Sequence, residues 1–316
     1  TDKTTGTYVS SNDAYVTAVK QLASEQNVLL LDGFAITKSL YEETYKNDSS
    51  AKSGVSQLAT QIMAAGDKTH SNKLGGFITA ALFASKLQDM NLSISKAVSM
   101  PAKTAGINPD GQQIFSINGS SVFTAYAADD NGKYSAQSES WTNYGQELIK
   151  AIGTKKDELN KTPDPVPDPT PTPDPDPTPA PSAKATVWVV GDSTVSSFSD
   201  KYYYPRYGWG TQLSAYFDDT LTVNNLALSG RSSKSYTSEP QYKTLIEGMQ
   251  SGDYLLIGFG HNDEKAEEAR YTNPNGDYKT AGSFANSLYE NYIKPAQDKG
   301  VTVVVCTPIV RRTATK

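Results

Sequence analysis

Apolar residues in the second half of the chain come in short β-branched runs separated by helical spacings. Thr186-Val187-Trp188-Val189-Val190 predicts a strand that ends at Gly191-Asp192-Ser193. Leu221 to Leu226, Tyr254 to Ile257 and Val301 to Cys306 predict three more strands. Between them, Trp209, Leu213 and Tyr216 share one helical face, as do Phe284, Leu288 and Tyr292. Alternating strands and helices predict a parallel sheet covered on both faces, here thin and short of an end.

The first half supplies complementary pieces. Asp13 to Gln26 reads as an amphipathic helix with Ala14, Ala18, Val19 and Leu22 on one stripe, followed by a buried strand, Val28 to Leu31. Ser71 is the expected cap of a helix through Met90, with Leu74, Phe77, Ile78, Ala81 and Leu82 at helical spacing. Gly75 and Gly76 weaken that helix intrinsically, which predicts close packing at that point. One strand and several helices do not make a domain alone.

Residues 100–156 read as a small β-rich elaboration with turns at Asn118-Gly119 and Asn131-Gly132. A helix bearing Trp141, Tyr144, Leu148 and Ile152 follows it. From Pro163 to Pro181 every second residue is proline, ten in all, which excludes helix and inner strand. Residues 157–183 therefore read as an extended linker whose Pro-rich run spans roughly 60 Å at ~3.1 Å per residue.

The chain has 316 residues and a net charge of −5, to which the stretch from Thr162 to Pro181 contributes four Asp and no Lys or Arg. The rest is near neutral without a basic block, so no nucleic-acid partner is expected. No stretch has the ~20 apolar residues of a membrane helix, and no membrane partner is expected either. Cys306 is the sole cysteine, which excludes an internal disulfide and a cysteine zinc cluster. Neither a metal nor a cofactor is expected. Only His70 and His261 could serve histidine-dependent chemistry. A Pro/Thr/Asp linker of this kind predicts a secreted, extracellular protein.

Candidate chemistry lies where strands end. Ser193 follows the first strand of the second half, and in open parallel sheets ligands bind beyond the carboxyl ends of strands. Tyr207-Gly208-Trp209-Gly210 lies further along the same connection. The second strand leads to Ser229-Gly230-Arg231-Ser232-Ser233-Lys234-Ser235, and the third to Gly258-Phe259-Gly260-His261-Asn262-Asp263. A Gly N–H and an Asn amide beside a Ser can form an oxyanion hole. The Gly-x-Ser-x-Gly elbow of α/β-hydrolases is absent.

Gly-Asp-Ser-Thr at 191–194, Gly-Trp-Gly at 208–210, Gly-Arg-Ser-Ser-Lys-Ser at 230–235, Gly-His-Asn-Asp at 260–263 and Thr307-Pro308…Arg311-Arg312 together resemble the SGNH/GDSL hydrolases, most closely the rhamnogalacturonan acetylesterase branch. The resemblance implies Ser193 as nucleophile and an oxyanion hole made of the Ser193 and Gly230 N–H groups and the Asn262 side chain. It assigns the base to an Asp-x-x-His placed after these blocks, and none follows Asn262. One precedes them: Asp67-Lys68-Thr69-His70, with Gly75-Gly76 and a helix behind it, resembles the family's final block. Asn27 to Asp32 likewise resembles its last strand, and Tyr15, Ala18, Leu22 and Ala23 the helix before that strand.

The resemblance thus implies a flavodoxin-like α/β sandwich with a five-stranded parallel sheet in swapped order. Residues 1–99 would be the C-terminal part of the domain and 184–316 its N-terminal part. Val28–Leu31 becomes an edge strand beside Val301–Val305, giving the order 2-1-3-4-5 in the family's numbering. Two origins fit this order: a circular permutant, or a piece cut across two tandem hydrolases. Closure within one chain is favoured over a dimer exchanging halves. The implied reaction is removal of acetyl groups from an acetylated polysaccharide, foremost pectic rhamnogalacturonan, with His70 as base and Asp67 orienting it. Trp209, Arg231 and His261 are candidate substrate contacts. Arg206, Lys234 and Arg311 could add positive charge to the rim, and Tyr202-Tyr203-Tyr204 could stack on sugars. Acetylxylan, another SGNH ester substrate, and a non-catalytic fragment are the competing readings.

Overall fold

The computed structural model describes residues 12–46, 63–64, 67, 69–90, 92–98, 184–198 and 206–311, with five short strands between 103 and 136. The first elements are helix α1 (Asp13–Gln26), strand β1 (Leu29–Leu31), helix α2 (Gly33–Lys46) and helix α3 (Lys73–Asp89). Next come β2 (Lys103–Ala105), β3 (Gln113–Ile117), β4 (Ser120–Thr124), β5 (Tyr126–Ala128) and β6 (Tyr134–Ala136). The second half contributes β7 (Ala185–Gly191), β8 (Leu221–Asn225), β9 (Tyr254–Gly258) and β10 (Thr302–Cys306), with helical segments covering the connections.

β1 and β7–β10 form one parallel five-stranded sheet in the order β1-β10-β9-β7-β8. The edge strand comes from the first half: Leu29 pairs with Val304, and Leu31 with Cys306. Side chains alternate across each strand, so the sheet feeds two cores. Val187, Val189, Leu256 and Val304 point to one, with Ile78, Phe83 and Leu87 of α3. Trp188, Val190, Leu255 and Val303 point to the other, with Tyr15, Val19 and Leu22 of α1. First-half helices thus seal both faces of a sheet built mostly from the second half. Each large apolar side chain fully buried this way contributes about 1.5–3 kcal/mol.

Local details correct the sequence reading. α3 is capped by Asn72, whose side chain accepts the Gly75 N–H at 2.9 Å; Ser71 instead forms a bridge with Met63. Ala14 is exposed and Tyr15 takes its place on the buried stripe of α1. Residues 209–216 form one turn of α-helix followed by a 3₁₀ turn, although Trp209, Leu213 and Tyr216 are all buried as the spacing requires. β3 pairs antiparallel with β4 and β5 with β6, while Asn118-Gly119 and Asn131-Gly132 lie outside the described residues. The helix expected around Trp141–Ile152, the Pro-rich linker, Tyr202–Tyr204 and Arg312 lie outside the described residues.

Candidate active site

Ser193 stands in the turn that follows β7 and is 8% exposed. Its neighbour Asp192 builds that turn. The Asp192 carboxylate accepts the Thr194 N–H at 2.9 Å and the Thr194 hydroxyl at 2.8 Å, while its other oxygen accepts the His261 N–H at 3.2 Å. Burial raises the Asp192 carboxyl above its ordinary value against these bonds. Gly191 admits no side chain, because a Cβ there would stand 2.5 Å from the Gly258 carbonyl oxygen on the adjacent strand.

The candidate base comes from the other half of the chain. His70 Nε2 lies 2.8 Å from Ser193 Oγ, and His70 Nδ1 lies 2.8 Å from Asp67 Oδ2. With Nδ1–H donating to Asp67, Nε2 is left to accept the Ser193 hydroxyl proton. The loop bearing the pair is closed on itself: Ala64 N–H donates to His70 O, and Asp67 N–H to Ala64 O, both at 2.9 Å. Asp67 Oδ1 accepts the Thr69 and His70 backbone N–H groups at 2.7 and 2.9 Å. Burial alone would raise the Asp67 carboxyl. The His70 ring and these N–H donors outweigh it and hold Asp67 well below the ordinary carboxylate value.

The candidate oxyanion donors lie beyond the ends of β7 and of the two strands that flank it. Gly230, in the loop after β8, has φ +78°, the left-handed region where glycine carries no steric cost. Neither the Gly230 N–H nor the Ser193 N–H donates to another group among the described residues. Asn262 follows β9; its Nδ2 donates to Arg231 O at 3.2 Å, and its Oδ1 accepts from Arg270 at 3.4 Å. The Asn262 bond ties the β9 loop to the β8 loop, and the His261 N–H ties it to the Ser193 turn.

Behind this surface Asp263 is fully buried and accepts the Ser233 N–H, the Ser233 hydroxyl and the Thr272 hydroxyl. Burial pushes its pKa up to about 7 despite these donors. A carboxyl raised in the folded state binds its proton more tightly there than in the unfolded chain, so its contribution is complete below about pH 4 and lost as pH rises towards 7. Asp263→Asn is therefore expected to lose most of the fall in Tm that the wild type shows across that window, roughly several degrees in thermal scans. Parallel Tm–pH curves for the two proteins would contradict this.

Several expected substrate contacts are otherwise engaged. Trp209 is 2% exposed and packs on Phe83 with ring centroids 4.7 Å apart, so it is a core residue, not a sugar platform. His261 is 2% exposed, and its Nδ1 accepts from Asn12 at 2.8 Å. Burial, reinforced by the charge of Arg311, holds His261 well below its ordinary pKa, so it offers neither surface nor charge. The rim cations all have protein partners. Arg231 pairs with Glu239, Lys234 donates to Glu268 O, Arg206 pairs with Asp67, and Arg311 pairs with Glu264 and donates to His261 O.

The sequence reading missed the Arg206–Asp67 pair and the Asn12–His261 bond, which join residues 139 and 249 positions apart. It also missed the Arg270–Asn262 bond. No local spacing signals any of them. Among the described residues no group of His, Cys, Asp and Glu could hold a metal ion, and no helix is long and apolar enough to cross a membrane.

Residues 187–315 match the family of GDSL-like lipases/acylhydrolases. The chain is 32% identical over 126 residues to the probable rhamnogalacturonan acetylesterase YesY of Bacillus subtilis (strain 168), covering 40% of this chain and 54% of that one. It is 36% identical over 126 residues to rhamnogalacturonan acetylesterase RhgT of the same organism, covering 40% and 50%. A rhamnogalacturonan acetylesterase of Emericella nidulans is 41% identical over 80 residues, covering 25% and 28%. The chain thus spans about half the length of the two Bacillus relatives.

Proposed function

From a nucleophile-bearing segment, residues 187–315, that is GDSL/SGNH acylhydrolase in kind, we propose that the chain is a serine carboxylic-ester hydrolase acting on acetylated carbohydrate, most specifically on pectic rhamnogalacturonan. The observation that carries this reading is the unbroken line Asp67–His70–Ser193, with both contacts at 2.8 Å, beside two N–H groups that have no partner among the described residues.

In the proposed reaction His70 Nε2 takes the Ser193 proton as Oγ bonds to the acetyl carbonyl carbon. The negative oxygen is received by the Ser193 and Gly230 N–H groups and the Asn262 amide. Collapse breaks the ester C–O bond, and His70 returns the proton to the departing sugar oxygen. Water, deprotonated by His70, then attacks the acetyl-enzyme; acetate leaves and Ser193 regains its proton. Asp67 holds the ring and offsets the charge on the transient imidazolium.

In this reading the domain is in swapped order, with the base block ahead of the nucleophile block and the Pro-rich run joining the former ends. The edge-strand pairing of β1 with β10 within one chain supports it. The composition of the linker supports an extracellular setting. The pectic substrate rests on the printed names of the relatives, since the rim cations are already paired. The test is acetate release by the purified chain. The expected result is turnover of a small neutral acetyl ester, and faster release from acetylated rhamnogalacturonan oligosaccharide than from acetylated xylan. The reverse preference would move the substrate to xylan, and no release from any of the three would overturn the reading.

A further inference from the structure

Four consecutive residues, Arg206-Tyr207-Gly208-Trp209, run between the two blocks that carry the site and bond to both. On the base side, Arg206 Nε forms an ion pair with Asp67 Oδ2 at 2.9 Å and Tyr207 N–H donates to Ser71 O at 2.8 Å. The Tyr207 and Gly208 backbone lies so close to Gly76 that a Cβ on Gly76 would stand 3.1 Å from Tyr207 O. On the nucleophile side, Gly208 N–H donates to Ser196 O and Trp209 N–H to Thr194 O, each at 3.0 Å. Every backbone N–H from 207 to 209 is thus committed to one block or the other.

Asp67 is where this strap meets the chemistry. Its Oδ1 is filled by two backbone donors of its own loop, and its Oδ2 is shared by His70 Nδ1 and Arg206 Nε. Removing Arg206 leaves Oδ2 with His70 Nδ1 as its partner and removes a positive charge from beside the carboxylate. We propose that Arg206 is a positioning residue for the Asp67–His70 pair, and that the Arg206–Trp209 strap sets the register of His70 against Ser193. This rests on the hydrolase reading above.

The sign of the electrostatic effect is fixed. The reactive free enzyme needs His70 neutral, and Arg206 offsets part of the Asp67 charge that favours the imidazolium. Without Arg206 the imidazolium survives to higher pH, so the acid limb of the kcat/KM profile moves up. Other charged or titratable groups facing the pair are Arg311, which interacts with Asp67, and His261, which interacts with His70 but is buried and held neutral. Because the Arg206 side chain is partly exposed, this displacement should shrink with added salt.

The experiment measures pH profiles of kcat and KM on 4-nitrophenyl acetate for the wild type, Arg206→Gln, Arg206→Lys and His70→Ala. Expected for Arg206→Gln are a kcat lower by roughly tenfold to a hundredfold, as for an ångström-scale misplacement, a near-unchanged KM and an acid limb moved to higher pH. Arg206→Lys should return the limb to its wild-type position while restoring only part of kcat, since the charge returns without the guanidinium geometry. Wild-type kcat and limb in Arg206→Gln would overturn the proposal. So would a loss of kcat in both variants that tracks a lowered Tm with the limb unmoved, which is what a merely structural strap would give. A fully active His70→Ala would instead sink the hydrolase reading itself.

Discussion

Ser193→Ala and His70→Ala should each lower hydrolysis of a small acetyl ester by roughly 10³-fold or more, with little change in KM. In the proposed reaction Ser193 Oγ bonds to carbon and His70 Nε2, 2.8 Å away, accepts its proton. Removing either leaves the other without a function, so the double variant should be little worse than either single one. The remaining rate would come from binding and the three oxyanion donors. His261→Ala is the informative control. Its ring is buried against Asn12 and has no place in the proton path, so the loss should appear in Tm rather than in kcat. Inactivation by His261→Ala together with full activity in His70→Ala would reverse the assignment of the base.

Gly208→Ala is expected to be nearly as damaging although it adds one methyl group. The backbone dihedrals at Gly208, φ −75° and ψ 149°, suit any residue, so the cost is steric alone. A Cβ there would stand 2.2 Å from the Val195 carbonyl carbon, 2.5 Å from Ser196 N and 2.6 Å from Ser196 O. All three atoms are backbone of the turn that carries Ser193, so no side chain can rotate away. Relief requires the turn or the strap to move by about an ångström, which costs on the order of a hundredfold in rate. Overpacking adds roughly 1–3 kcal/mol of lost stability. Kinetics and thermal scans on Gly208→Ala check both, and a variant with wild-type kcat and Tm would show that the strap is not tightly seated. Gly230→Ala makes a contrast. Nothing lies within 4 Å of its Cβ direction, and the strain there comes from φ +78°.

How far the sequence spoke depends on the range over which each feature is determined. Helix α1 was legible to its ends because its stripe is local and Asn27, at φ 49°, closes it in the left-handed conformation. β7, β9 and β10 were legible because each is a short apolar run buried along most of its length, and β8, only partly buried, was marked by Leu221, Thr222 and Val223. The place of Val28–Leu31 beside β10 was not legible from periodicity, since the partners lie some 270 residues apart; it followed from the resemblance of the two halves to one domain in swapped order. The cap of α3 was missed by one position because Ser71 and Asn72 are equally good capping types. Only the path of the loop decides that Asn72 faces Gly75.

The site divides along the same line. Ser193, His70 and Asp67 were named from their motifs, and the structure brings them into contact. Trp209 and His261 stood in equally recognisable motifs, yet their side chains turn inward, a direction set by the packing of Phe83 and Asn12 from the other half. Arg206 was read as a rim charge because its partner, Asp67, comes from a segment 139 residues earlier.

The central claim is that one acyl-transfer site is assembled from both halves of the chain, and covalent capture tests it most directly. An alkyl fluorophosphonate reacts only with a serine activated by a working base, and the site of attachment is read by peptide mass spectrometry. The account predicts attachment at Ser193 in the wild type, and labelling slowed by orders of magnitude in His70→Ala while that variant stays folded. Attachment elsewhere, or undiminished labelling of Ser193 without His70, would contradict it.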